Sequence, residues 1–290
     1  MLLTVPAALP GQTGTVAVNG VSLPYVVEGT GPPLVLIHGW AVNHRYWDGN
    51  VGELARHATV IRYDRRGFGA AGGKPDPTAD AADLKALLDQ LGYARVYVMG
   101  HSAGASAALT FAVRYPAMVE GLVLFGPGPT SVAGLPPPAA EHAPPVQEWI
   151  AAGRTHGVDS LRAAIARWAA RSFGGTPTPA AMERARRMLQ TYSGADLLDP
   201  APPSNLVEPV RVDELATVRV PTLILVGEQE MVMVRQVADV LADRIPGARL
   251  VVIPGGGHTV NWLEPERFAA EVRRFLRVSA QDRSAGPVRH

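Results

Sequence analysis

The sequence predicts an α/β chain: a mostly parallel sheet with helices on both faces, interrupted by an inserted helical segment. Three observations predict it. Six short apolar runs rich in β-branched residues recur along the 290 residues. Stretches of helical period separate several of them. Between residues 126 and 212, about 85 positions carry no convincing strand, and insertions that long in a compact domain tend to be lids or binding segments.

The elements follow in order. Residues 15–18 and 22–27 flank Asn19-Gly20, a strong hairpin signal, so the sheet is expected to begin antiparallel. The six runs are 34–37, 59–63, 96–99, 122–125, 223–226 and 250–253. Each is nearly continuous rather than alternating, as in strands covered on both faces. Residues 81–91 place Leu84, Leu87, Leu88 and Leu91 on one helical stripe, and 102–115 form a helix of small residues that ends before Pro116. Residues 237–245 and 265–276 close the chain with similar patterns. The interruption opens on a proline-rich passage that includes Pro127, Pro129, Pro136 to Pro138, Pro144 and Pro145, and helix-like pieces follow at 146–153, 159–173 and 179–192. The expected organisation is a core of residues 1–127 and 213–278, an inserted helical cap of 128–212, and a polar tail of 279–290 that frays.

Composition bounds the function. Lys plus Arg is 27 and Asp plus Glu is 26, a net charge of +1, which argues against nucleic acid or an anionic membrane as a partner. With no cysteine, there is no disulfide framework, thiolate metal site or cysteine nucleophile. No apolar run approaches the ~18 residues of a membrane span. The apolar N-terminus has no basic flank and is broken by Pro6 and Pro10, which reads against a secretory signal. A soluble, cytoplasmic protein is expected.

The sharpest local feature is Gly100-His101-Ser102-Ala103-Gly104, between a buried strand and a helix of small residues. A serine on such a sharp turn is held exposed, and flanking glycines permit the strained backbone and close helix packing. The plainer alternative makes Ser102 an ordinary helix N-cap. A serine nucleophile needs a base and an orienting acid. Of eight histidines, His258 follows the last strand and Gly255-Gly256-Gly257, so its loop can reach a serine at the same sheet edge. His44, His57, His142 and His156 read as loop or surface positions, His290 is the terminus, and His101 projects away from Ser102 as a structural residue. The acid is expected past the strand 223–226, where either Glu228 or Glu230 could orient His258. The backbone N–H of Ala103 and that of Trp40, in the loop after residues 34–37, are the natural oxyanion donors. The Trp40 side chain is expected to wall the pocket.

Taken together, the chain resembles the α/β-hydrolase family over nearly its whole length. The resemblance rests on His38-Gly39-Trp40, Tyr63-Asp64-Arg65-Arg66-Gly67-Phe68-Gly69, the serine turn, residues 221–230, Gly257-His258 and Glu264-Pro265-Glu266-Arg267-Phe268. It implies an α/β-hydrolase sheet, Ser102 as nucleophile, His258 as base, and the third position after Gly227 as acid. That position is Glu230, where most relatives of this type carry Asp. Haloalkane dehalogenases and epoxide hydrolases of this fold carry Asp as nucleophile, so Ser102 implies acyl chemistry.

The expected function is hydrolysis of a carboxylic ester or lactone through an acyl-enzyme, with no cofactor and no metal. The substrate is a small molecule, partly apolar if Trp149, Trp168, Phe173 and Met188 face it from the cap. Two alternatives stand beside it: the same triad applied to C–C bond hydrolysis, perhydrolysis or a tailoring step, and a non-catalytic ligand-binding protein on the same fold.

Overall fold

The hairpin forms where Asn19-Gly20 dictates it. Strands β1 (Gln12–Val18) and β2 (Val21–Glu28) pair antiparallel across Asn19 and Gly20, both at positive φ. The computed structural model describes residues 11–135, 143–171, 179–202 and 208–284. After the hairpin come β3 (Pro33–Ile37), α1 (Asp48–Leu54), β4 (Thr59–Tyr63), α2 (Asp80–Leu91), β5 (Val96–His101), α3 (Ala103–Arg114) and β6 (Val119–Phe125). Among the described residues four α-helices follow: α4 (Val146–His156), α5 (Val158–Arg171), α6 (Pro179–Leu189) and α7 (Ala195–Leu198). The alternation then resumes with β7 (Thr222–Gly227), α8 (Val232–Arg244), β8 (Arg249–Ile253), α9 (Val260–Leu263) and α10 (Pro265–Ser284).

These strands make one eight-stranded sheet in the order β1-β2-β4-β3-β5-β6-β7-β8. From β4 across to β8 every pairing is parallel, and β2 joins β4 antiparallel. The continuous apolar runs have a simple cause. Alternate residues of each inner strand enter different cores, so both faces demand apolar side chains. Val35, Ile37, Leu122 and Leu124 pack with α2, α3 and α8 through Leu84, Phe111 and Leu241. Leu34, Leu36, Val123 and Phe125 pack on the other face with α1 and α10 through Leu54, Phe268 and Val272. Burying one such Leu or Phe contributes about 2 kcal/mol.

Three departures from the sequence expectation have physical causes. β8 is the sheet's edge, so Val252 is 38% exposed rather than covered on both faces. Helix α10 runs through Ser284, past the point where fraying was expected, because Ser279 is buried and its hydroxyl donates to the Phe275 carbonyl at 2.8 Å. A 3₁₀ turn (His44–Trp47) leading into α1 was not foreseen. In α1, Gly49, Asn50 and Gly52 leave no helical stripe, and burial of Tyr46 and Trp47 organises the turn before it. Among the described residues between β6 and β7 there is no strand, only an isolated bridge between Ala133 and Arg211. Phe173, His142 and Pro136 to Pro138 lie outside the described residues. No helix among the described residues is long and apolar enough to cross a membrane.

Candidate active site

In a parallel sheet the strands' C-terminal ends share one edge, and loops from β3, β5, β6, β7 and β8 meet there. The chain reverses from β5 into α3 through Ser102 alone, at φ +54° and ψ −119°. A non-glycine residue in that region costs about 1–3 kcal/mol and persists only when its surroundings over-determine it. Here they do. The Ser102 N–H donates to the Phe125 carbonyl at 3.0 Å, and the Ser102 carbonyl accepts from Ala105 N–H at 2.8 Å. Flanking glycines make the reversal possible: a Cβ on Gly100 would stand 2.0 Å from the Gly104 carbonyl oxygen. A Cβ on Gly104 would stand 2.3 Å from the Ile37 carbonyl oxygen, so the loop after β3 lies directly against the start of α3. Ser102 occupies the N-cap position, yet its side chain caps nothing, which removes the plainer explanation for the serine.

Of the two glutamates past β7, Glu230 is the one that meets His258. Its Oε1 lies 3.1 Å from His258 Nδ1, with the Glu230 side chain 1% and the His258 side chain 12% exposed. A turn from Gly227 to Glu230 sets the carboxylate, and the Met231 N–H donates to the same Oε1 at 2.9 Å. Glu228 points elsewhere, accepting from the Gly255 N–H at 3.3 Å. Gly126, at φ +52° after β6, makes room for the imidazole: a Cβ there would stand 3.0 Å from the His258 ring. The run after β6 offered no acid in the sequence, and its contribution is this clearance. Ser102 and His258 border the same cavity.

His101 turns away from the serine as expected, and it carries a structural task. Its ring stacks on Tyr46 at 4.5 Å between centroids, and its Nε2–H donates to the His258 carbonyl at 2.9 Å. Burial, then the neighbouring His258, hold its pKa well below the usual histidine value, so it is neutral. Tyr46 is likewise held neutral, its hydroxyl pushed well up by burial and the nearby Glu230 against a hydrogen bond to Asn261.

The loop after β3 is fixed from beneath. His38 is fully buried; its Nδ1–H donates to the Gly39 carbonyl at 2.8 Å and its Nε2 accepts from Arg65 N–H at 2.9 Å. Burial, reinforced by the Arg65 charge, lowers its pKa to about 3. Arg65 also reaches the His38 and Gly39 carbonyls at 3.4 Å and forms a buried ion pair with Asp80. Removing one partner of such a pair costs about 3–5 kcal/mol. The motif from Tyr63 to Gly69 therefore buttresses the loop that carries Trp40. Ala103 opens α3, where the first N–H groups have no partner within a helix.

Above this edge lies a cavity of about 310 Å³, lined by Ser102 and His258 and by Trp40, Trp149, Trp168, Met188 and Met231. Trp40 stacks on Trp149 of α4 with centroids 5.9 Å apart. Its indole N–H donates to Asp196 Oδ2 at 2.6 Å, and the Tyr192 hydroxyl donates to Asp196 Oδ1 at 2.6 Å. Tyr46, Met231 and Asp196 are among the residues in or beside this site that escaped sequence reasoning. Tyr46 lies in the unforeseen 3₁₀ turn, Met231 had the signal of directly following Glu230, and Asp196 gave none.

The alpha/beta hydrolase family model matches residues 34–271. A putative carbamate hydrolase RutD of Pseudomonas savastanoi pv. phaseolicola is 29% identical over 269 residues, covering 84% of this chain and 93% of that protein. A pimeloyl-[acyl-carrier protein] methyl ester esterase of Nitrosomonas europaea is 28% identical over 261 residues, covering 83% and 94%. Among solved structures, a thermophilic esterase from Thermogutta terrifontis superposes with a TM-score of 0.75 at 25% identity, covering 92% of this chain and 99% of that one.

Proposed function

The chain belongs to the alpha/beta hydrolase family, and on that premise we propose that it is a serine hydrolase of carboxylic esters or lactones. One observation carries the proposal: a serine strained at φ +54°, capping nothing, shares a cavity with a histidine that a buried glutamate holds by Nδ1. With Nδ1 engaged by Glu230, His258 has Nε2 left for proton transfer. Ser102 Oγ attacks the carbonyl carbon while His258 Nε2 takes its proton. The carbonyl oxygen, now negative, is held by the N–H groups of Trp40 and Ala103, each worth about 3 kcal/mol or more in comparable sites. Collapse of the intermediate breaks the bond to the alkoxy oxygen, which leaves with the proton from His258. Water then attacks the acyl-enzyme, with His258 again as base, and releases the acid. Residues 128–212 act as the cap over the core of 1–127 and 213–278. The cap's Trp149, Trp168 and Met188 select a partly apolar substrate.

The test is labelling with a fluorophosphonate, with the modified peptide mapped, alongside hydrolysis of short p-nitrophenyl esters. Ser102 is expected to take the label, and Ser102→Ala and His258→Ala to lose it. For either variant, kcat is expected to fall on the order of 10⁶-fold. Folded protein that takes no label and turns over no ester would overturn the proposal in favour of a ligand-binding protein.

A further inference from the structure

Beside the apolar cavity runs a second, more polar groove of about 500 Å³, which shares Val42, Tyr46 and Met188 as common wall. The groove's charge is lopsided. Arg45, Arg184 and Arg187 line it against the single carboxylate of Asp48, and Asp48 already pairs with Arg62 and Arg45. Arg184 is the informative residue. Its guanidinium lies 5.2 Å from the centroid of the Trp262 ring, and the Trp262 indole N–H is itself anchored on the Tyr46 carbonyl at 2.9 Å. Among the described residues it has no carboxylate partner. A guanidinium stacked on an aromatic face keeps its N–H edge available, and that planar fork matches a carboxylate or phosphate. Among the described residues Arg187 pairs with exposed Glu183 alone, at 3.6 Å, a contact that a ligand anion can displace.

We propose that this groove is a binding site for an anionic group, carboxylate or phosphate, carried at the far end of the substrate from the scissile bond. The proposal rests on the hydrolase reading, because it takes the ester to lie in the adjoining apolar cavity. Arg184 and Arg187 grip the anion, Arg45 adds to the field, and the apolar middle of the substrate crosses the shared stretch at Tyr46 and Met188. These arginines make the site a selector between charged and neutral esters of equal length.

The experiment compares monomethyl glutarate, adipate and suberate with methyl pentanoate, hexanoate and octanoate. Acetates of 4-hydroxybutanoate and 6-hydroxyhexanoate, against butyl and hexyl acetate, place the charge on the alcohol side. At one chain length in one series, kcat/KM for the charged ester is expected to exceed its neutral match by about tenfold. The ratio should shrink as ionic strength rises past 0.1 M, where the Debye length is about 10 Å. In the double variant Arg184→Gln, Arg187→Gln it should fall to about one, through KM. Neutral esters preferred at every length in both series, or a ratio unchanged in the double variant, would overturn the site. Calorimetric titration with hexyl phosphate and with hexanoate, each against hexanol, separates the phosphate and carboxylate sources and needs no turnover. Binding of either anion weakened about tenfold or more in the double variant upholds the site. Equal binding in both proteins overturns it. If Ser102 takes no fluorophosphonate label while hexyl phosphate still binds through these arginines, the catalytic reading fails and the anion site stands.

Discussion

A glutamate, Glu230, lies against His258 Nδ1 at 3.1 Å, and the surroundings accommodate its length. Glu230 closes a turn on the Gly227 carbonyl, receives the Met231 N–H on Oε1, and presents that same oxygen to His258. In the proposed mechanism this oxygen sets the histidine tautomer, so its charge is what the reaction would use. Glu230→Gln keeps the shape but can turn an N–H₂ toward Nδ1, which favours the wrong tautomer. A fall in kcat on the order of 10⁴-fold is expected for p-nitrophenyl butyrate, with little change in KM. Glu228→Gln touches only the Gly255 N–H and is expected to stay within about twofold. A Glu230→Gln variant no slower than Glu228→Gln would overturn Glu230 as the orienting acid. The sequence left these two glutamates open, because side chains two apart past a strand end differ only in how the turn folds. That Ser102 and His258 would meet at one sheet edge was legible, because strand ends and glycines bracket them.

At the scale of elements, the strands were legible because burial on both faces leaves an unmistakable apolar run, as at Val123, Leu124 and Phe125. The 3₁₀ turn before α1 was not, because Tyr46 and Trp47 organise it through distant contacts with His101, Phe268 and Trp262. Nor was the junction between α7 and the loop after β3. There Asp196 receives the Trp40 indole N–H and the Tyr192 hydroxyl on its two oxygens. Burial, then the Asp196 charge, raises the Tyr192 pKa, so the hydroxyl stays a donor. Asn43 to Thr191 at 3.0 Å and the exposed Lys74–Asp199 pair add weaker links between the same regions. Asp196→Ala strands two donors, at a cost of about 1–3 kcal/mol each if they stay dry. Because the lost bonds hold helices to the loop that carries Trp40, faster tryptic cleavage is expected at Arg154, Arg162, Arg167 or Arg187. KM is expected to rise several-fold in the same variant. A cleavage pattern and KM matching the parent would mean the aromatic stack of Trp40 on Trp149 holds the junction unaided.

Over the whole molecule, loops of the site are tied in pairs by two histidines that are neutral at pH 7. His38 locks the loop after β3 to Arg65, and His101 ties the end of β5 to the His258 carbonyl. Both have pKa values lowered first by burial, His38 to about 3. The sign of the resulting pH dependence is fixed. Between pH 6.5 and about 3 the unfolded chain binds a proton at His38 that the folded chain refuses, so stability rises with pH across that window. It is fully present above about pH 6.5 and is lost as the pH falls toward 3. His38 alone should then make folding about 2 kcal/mol weaker at pH 5 than at pH 7, and His101 acts in the same direction. Carboxylates contribute little there, since their unfolded values lie near 4. Asp64 fits this ordering: burial alone would raise its pKa, but hydrogen bonds from His44 and the Ala70 N–H bring it below the usual value, so its own loss comes at still lower pH. Urea unfolding at pH 7, 6 and 5 is the direct check, with His38→Asn as the variant in which the slope should shrink. A midpoint that does not move between pH 7 and pH 5 would mean that His38 and His101 accept protons in the folded chain. The loops they brace would then have to bend without breaking as the site acidifies.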